Sequence, residues 1–482
     1  MNFSGLIFLL LAQFFAGRGV IRLFGVHLKP IALACYSMIV GVFVVSLVPC
    51  VLQLLHIPLT ANNLYYAISV SSLLLSVPLL LNIKKTKLLS VSFPKLYELP
   101  FLLVFLALAV ISVWRCFYFP PTPRDVLTGT ELIAEFAARE KTMINSVFKI
   151  DLRLNSSANN IFKSPFITSL QIIYKLLVHP FGQVWLSVLF LSFTVWFYTL
   201  LRQIVHPLLA GMLMLIYFAI PDLYAYTYVL LYDYANMVFF VGGYYFLTQF
   251  LAEKNRRLLL WASFLFGASV YIRSETLVMI AMVAPLLAIY LFRQQVKLLQ
   301  IVIQTGLFVS FSLLFNFLLN FFISKFIPVR FNLGELISHD FFNFSLLLEK
   351  FTKIATDTIF SNKGRDVYAH FFSFFVFIFV ADVIWPRKFS KDARFALLGI
   401  AVVYLGLVLL SFLIPSHTIF NSAKRGLFRL IPLIVLYIAH SGIVQKISGF
   451  LNRKETAASI PSLSGKVVTN STKQNTVIDK KR

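Results

Sequence analysis

Residues 97–125 read YELPFLLVFLALAVISVWRCFYFPPTPRD, an apolar run that ends at three prolines and an aspartate. A run of about twenty apolar residues is long enough to cross a bilayer as a helix. Pro120, Pro121 and Pro123 fix φ and cannot continue that helix. Asp125 is therefore expected just beyond the membrane exit, where a carboxylate avoids the cost of hydrocarbon burial.

The rest of the chain repeats the apolar signal. Hydrophobic residues make up 59% of the 482 positions and charged residues only 13%, with a mean hydropathy of +0.83. Those values exclude an ordinary soluble domain. Runs near twenty residues predict about thirteen spans, at 1–17, 30–56, 63–82, 97–119, 182–201, 206–221, 231–251, 258–273, 275–292, 299–324, 369–385, 395–414 and 427–445. The expected fold class is all-α, a polytopic transmembrane helical bundle. Met1-Asn2-Phe3 lacks the basic region of a cleaved signal, so the first span is expected to stay.

Alternating thirteen spans assigns every loop to one of two sides. One side collects 25 basic against 6 acidic residues, and the other 17 basic against 13 acidic. The excess of Lys and Arg marks the first side as cytoplasmic and places the C-terminus there. The net charge of +24 is thus a topological signal and does not argue for nucleic-acid binding. Residues 446–482 are polar and basic and are expected to form a disordered, lipid-attracted cytoplasmic tail. Cys35, Cys50 and Cys116 lie in or beside spans without a paired spacing, so neither a disulfide framework nor a zinc site is expected. No P-loop or internal repeat is present.

Two long outer segments, about 120–181 and 325–368, carry the unusual chemistry. In the first, Leu132, Ile133, Phe136 and Ala137 share one helical face, with Glu131, Glu135 and Arg139 on the other. This predicts an amphipathic helix along the membrane surface. The second repeats the pattern more weakly, with Phe341, Phe342, Phe344, Leu347 and Leu348 beside Glu349, Lys350 and Lys353. Lys163 precedes Ser164-Pro165 at the entry of an apolar helix, where it can snorkel or meet a phosphate. Asp233 sits between Tyr232 and Tyr234 at the outer end of a span. Arg273-Ser274-Glu275 interrupts about 34 largely apolar residues, in a turn that suits a mutual salt bridge. Lys424, Arg425 and Arg429 break the charge rule at the outer entry of the last span, and a bound anion would explain cations kept there. Inverting sugar transfer from a lipid phosphate needs such an inventory: a carboxylate base for the acceptor hydroxyl and cations for the departing phosphate.

These features in this order resemble the GT-C class of integral-membrane glycosyltransferases, which includes protein O-mannosyltransferases and lipid A aminoarabinose transferases. The resemblance rests on Arg124-Asp125, the amphipathic helix, Lys163-Ser164-Pro165, Tyr232-Asp233, Arg273-Ser274-Glu275 and the stretch from Arg425 to Pro432. It covers roughly 97–445, leaving 1–96 as additional N-terminal transmembrane helices. It implies a GT-C-like fold with Asp125 as catalytic base and Asp233 as a supporting catalytic carboxylate. Lys163, Arg273 with Glu275, Arg425 and Arg429 would bind the substrate, chiefly its phosphate. The implied donor is a polyprenyl-phosphate-linked hexose or pentose drawn from the membrane lipids, and the implied acceptor is a hydroxyl on a glycan, lipid or protein. Some members use a divalent cation, for which Asp125 and Asp233 are the candidates. The implied setting is a bacterial inner membrane with the active site on the outer face. The pattern departs from many relatives at Val126, where they carry Glu, and at Ser164, where they carry Pro. A polysaccharide polymerase or flippase of a lipid-linked glycan pathway is the main rival reading. A secondary transporter is the third, and it would require charges near the bilayer midplane.

Overall fold

The computed structural model describes residues 2–80, 94–122, 124–127, 129–149, 164–178, 182–326, 343–384, 389–414 and 419–459. Helices account for its regular structure, and no strand occurs among the described residues. In chain order they are α1 (Phe3–Leu23), α2 (Pro30–Ser46), α3 (Val48–Leu54), α4 (Ala61–Leu80), α5 (Leu99–Tyr118), α6 (Arg124–Leu127), α7 (Thr130–Glu140), α8 (Phe166–Leu177), α9 (Val184–Ile204) and α10 (Pro207–Phe218). There follow α11 (Pro221–Ala225), α12 (Tyr232–Glu253), α13 (Arg256–Ile272), α14 (Thr276–Arg293), α15 (Leu298–Phe326), α16 (Phe344–Lys353), α17 (Asn362–Tyr368), α18 (Phe371–Ile384), α19 (Lys391–Leu413), α20 (Leu430–His440) and α21 (Gly442–Ser459).

Eight helices among the described residues are long and apolar enough to cross a membrane, and up to ten if each of two bent pairs counts as one span. This is fewer than the thirteen expected. The difference lies in particular elements. Helix α10 has 12 residues and α13 has 17, which at 1.5 Å per residue fall short of a 30 Å core. The last three side chains of α4 lie outside the description. The bent pairs are α17 with α18, at 88°, and the helix reaching His440 with α21, at 57°.

One continuous hydrophobic core runs from Leu9 on α1 to Val444 on α21, so the N-terminal helices and the rest of the chain share it. Helix α1 packs onto α2 through small residues. A Cβ on Gly41 would lie 1.8 Å from the Gln13 carbonyl oxygen, and one on Gly17 would lie 1.9 Å from that of Ser37. Only glycine permits this backbone approach, the usual means of joining helices in lipid. At the periphery, α5 and α15 turn large apolar side chains outward, among them Leu106, Trp114, Val302 and Phe317. In water such a band would drive aggregation; in a bilayer it faces lipid.

The bundle has two polar ends. At one, the backbone of Leu59 donates to the Lys141 carbonyl at 2.8 Å, Asn2 donates to Val178 at 2.9 Å, and Gln53 accepts from Thr142 and Met143. At the other, Lys29 donates to Gln203 at 2.6 Å, and Arg202 pairs at 3.0 Å with Glu98, whose side chain is fully buried. Tyr198 completes the Glu98 site with a 2.6 Å hydrogen bond.

Two expectations change here. The amphipathic helix exists as α7, with Ile133, Ala134 and Ala137 buried, but Glu131 is buried as well. Its carboxylate meets Lys175 at 2.5 Å and Gln171 at 2.7 Å on α8, an ion pair that removes it from the polar face. Residues 446–459, expected within the disordered tail, are helical, and 460–482 lie outside the described residues. Helix α21 runs to Ser459, and its Glu455 reaches Lys95 at 2.5 Å and His206 at 3.4 Å. In the second outer segment α16 leaves Phe344 and Leu348 exposed beside the Lys353–Glu349 pair; Phe341 and Phe342 lie outside the described residues.

Candidate functional site

The first polar end holds a cluster of charges drawn from three distant stretches of chain. Helix α12 starts after Leu231, which is extended, so Tyr232 and Asp233 occupy its first turn. The orphan amides and dipole of a helix N-terminus favour a carboxylate there. Tyr232 donates to the Ser164 carbonyl at 2.8 Å, which ties this turn to the entry of α8. One turn on, Asn236 is fully buried and its amide donates to the Ser269 carbonyl at 2.7 Å, the Ser269 hydroxyl at 2.9 Å and the Thr276 hydroxyl at 3.1 Å.

Helices α13 and α14 are joined by the turn Arg273-Ser274-Glu275, closed by the Thr276 amide donating to the Arg273 carbonyl at 3.1 Å. Arg273 is extended and 8% exposed, and its guanidinium forks between two carboxylates. Nη1 donates to Asp233 and Nη2 to Glu275. A planar fork with five donors suits this double engagement, which a lysine could not reproduce. The expected Arg273–Glu275 salt bridge is therefore present, widened to include Asp233.

The third stretch is a tight helical piece, Lys424–Arg429, ahead of α20. It brings Arg425 Nη1 to 4.0 Å from Asp233 Oδ2 and Arg429 Nη2 to 3.8 Å from Glu275 Oε2. Arg429 Nε donates to the Asn236 side-chain oxygen. Arg429 is 2% exposed, and its Nη1 is buried with no hydrogen-bond partner among the described residues. Lys424 pairs with Asp222 at 2.7 Å, and Phe428 packs edge-on against Tyr226 with centroids 4.7 Å apart. The Tyr226 hydroxyl is pushed above its ordinary pKa by burial first and by the Asp233 carboxylate next.

The structure thus brings Asp233, Arg273, Glu275, Arg425 and Arg429 into one cluster, and three guanidinium groups there meet two carboxylates. Buried charges persist only when paired and hydrogen-bonded, and here each carboxylate is engaged by a guanidinium. Asp125 has its backbone in α6, but its side chain lies outside the described residues, as does the whole of Lys163. Ser164, next to Lys163 in the chain, is the residue held by Tyr232. Among the described residues no group of three His, Cys, Asp or Glu side chains converges as a metal site. Asp233 already receives Arg273, so a divalent cation at that carboxylate would have to compete with a guanidinium.

Reading for misplaced charge overlooked Asn236. It carried a usable signal, an amide inside an apolar helix one turn from Asp233, and it joins α12 to the α13–α14 turn and to Arg429. Tyr226 was overlooked as well, because a tyrosine near an interface is unremarkable in sequence. No family model, curated protein or solved structure matches the chain.

Proposed function

We propose that this protein is a membrane glycosyltransferase that moves a hexose or pentose from a polyprenyl-phosphate donor to an acceptor hydroxyl, with inversion, on the non-cytoplasmic side. The observation that carries the reading is the Asp233–Arg273–Glu275–Arg429 cluster, with a buried guanidinium nitrogen left without a partner among the described residues. A lipid phosphate has the charge and acceptor oxygens to engage such a group. The cluster's depth also favours transfer over transport. Asp233 is in the first turn of its helix, and Arg273 and Glu275 sit in a turn, so these charges lie at helix ends and not at mid-span.

In this reading Arg273, Arg425, Arg429 and Lys163 hold the donor phosphate, Asp233 and Glu275 orient the arginines, and Asp125 removes the proton from the attacking hydroxyl. The bond from the anomeric carbon to the phosphate oxygen breaks as the bond to the acceptor oxygen forms, and the phosphate leaves as the polyprenyl phosphate anion. The acceptor proton passes to Asp125. Positioning and charge neutralisation supply the catalysis without a covalent enzyme intermediate. The finer topology belongs to the same proposal: thirteen passes, the cluster end outside, and α21 inside. Its support is that a helix occupies each of the thirteen apolar segments.

The test is transfer by purified protein from a polyprenyl-phosphate sugar to membrane glycan, lipid or protein extract, with Asp125→Asn as the variant. Removing a general base lowers the rate about 10²–10⁴-fold. Folded Asp125→Asn protein is expected to show that loss. Full activity in the variant removes Asp125 as base, and a wild-type protein that releases no polyprenyl phosphate from any such donor removes the whole reading.

A further inference from the structure

The opposite end of the bundle contains a cavity of ≈1370 Å³ that the proposed transfer does not use. It opens where α2 and α9 meet the ends of α12 and α19, and it reaches inward along Leu200, Tyr244 and Leu433. That volume exceeds a typical small-ligand site of roughly 300–1,000 Å³. Its inner part is aromatic and aliphatic, with Trp196, Tyr244, Phe246, Leu258 and Leu436 among the lining residues, while its mouth is polar. A molecule that fills it must be amphiphilic, with a polar head at the membrane surface and an apolar body between the helices.

The charges at the mouth are divided between two walls. On the α2–α9 wall, Lys29 holds its ammonium against the Gln203 amide oxygen at 2.6 Å. Arg202 on the same wall is already neutralised by buried Glu98. On the α12–α19 wall, Glu253 and Asp392 both line the cavity, together with Tyr245 and His440. Tyr244 and Gly399 bring these two helices into contact, since a Cβ on Gly399 would meet the Tyr244 ring at 2.7 Å. Neither Glu253 nor Asp392 forms an ion pair with any described residue. Among its lining residues the mouth therefore presents one cation with no carboxylate partner on one wall and two carboxylates on the other, where the Lys391 ammonium stands 5.7 Å over the Phe395 ring.

From this geometry we infer that the cavity is a binding site for a zwitterionic aminophospholipid of the adjacent leaflet, with a phosphoethanolamine-type headgroup. The phosphate sits at Lys29 and Gln203, the primary ammonium donates to Glu253 and Asp392, and the glycerol and upper acyl chains occupy the aromatic interior. An anionic headgroup would bring its phosphate to the same lysine but leave two carboxylates facing further negative charge, so the site selects against it. A quaternary ammonium has no N–H to donate, which sets the preference for a primary amine.

The experiment is native mass spectrometry of the delipidated full-length protein titrated with phosphatidylethanolamine, phosphatidylcholine or phosphatidylglycerol at equal concentration. Phosphatidylethanolamine is expected to be retained best and phosphatidylglycerol least. Glu253→Gln combined with Asp392→Asn is expected to lower phosphatidylethanolamine retention about tenfold, the factor carried by ~1.4 kcal/mol, and to erase its advantage. Lys29→Gln is expected to weaken phosphatidylethanolamine and phosphatidylcholine alike. All three side chains are exposed at helix ends, so the variants should keep the wild-type melting temperature. Equal retention of the three lipids by the wild type, or undiminished phosphatidylethanolamine retention by the double variant, overturns the assignment. Because no step of sugar transfer is measured, its failure leaves the transferase reading where it stands.

Discussion

At the residue scale, Asn236 shows how an uncharged group can govern a charged site. Its amide is spent on Ser269 and Thr276, which leaves its oxygen for Arg429, so a single side chain connects α12, the α13–α14 turn and the segment before α20. Asn236→Ala would leave Arg429 Nε without its partner in a buried setting, while the Ser269 carbonyl keeps the Arg273 amide and the Thr276 hydroxyl keeps the Ser269 hydroxyl. A lost partner in such a place costs about 1–3 kcal/mol, and more when the remaining group is charged. Asn236→Ala is therefore expected to lower the melting temperature of the purified protein measurably. Asn236→Asp keeps an acceptor for Arg429 but sets a carboxylate oxygen against the Ser269 carbonyl, so it is expected to recover only part of the loss, whereas equal melting of both variants and wild type would remove Asn236 from its bridging role. The charged members of the cluster were legible beforehand because ionised groups in apolar runs are expensive and therefore conspicuous. Asn236 was not singled out because an amide raises a smaller alarm, and its partners lie as far as 193 residues away in the chain.

At the element scale, the apolar runs located the helices well, since length and hydropathy are summed over many residues. What they could not show was which face a mixed helix buries. The periodicity of α7 puts Glu131 on its polar side, yet Glu131 is 7% exposed and paired to Lys175 at 2.5 Å. The partner lies on α8, and Trp185 on α9 in turn donates to Gln171 at 3.0 Å, so the ion pair is one link in a network that fastens the surface helices to the bundle. A buried pair costs most when it is broken on one side, about 3–5 kcal/mol, and least when both members are replaced by groups of similar shape. In a double-mutant cycle, the Glu131→Gln, Lys175→Met double variant is expected to lose less stability than the sum of the two single losses. Strict additivity of the melting shifts would mean that the pair does not couple α7 to α8.

At the scale of the whole molecule, the arrangement rests on two chemically different ends. The cluster end combines carboxylates and guanidinium groups on α12, the α13–α14 turn and the segment before α20, while the opposite end has the Glu98–Arg202 and Lys95–Glu455 pairs and the lipid-sized cavity. The proposed topology has the first end outside and the second in the cytoplasm, and the protein's own buried cysteines leave a clean background on which to measure this. Cys35, Cys50 and Cys116 are all buried and free, so the wild type should label weakly with a membrane-impermeant maleimide. Lys363 on α17 and Arg256 at the start of α13 are both exposed. Helix α17 belongs to the cluster end, because Tyr368 donates to the Lys424 carbonyl at 2.8 Å. The start of α13 belongs to the other end, because Arg257 reaches the Gly25 carbonyl. Lys363→Cys is expected to label in intact cells, and Arg256→Cys only after the membrane is permeabilised. Labelling of both from one side would contradict the bundle's two-ended geometry. The reverse pattern, with Arg256→Cys labelled in intact cells, would turn the molecule over, place the charged cluster in the cytoplasm and end the case for chemistry on the outer face.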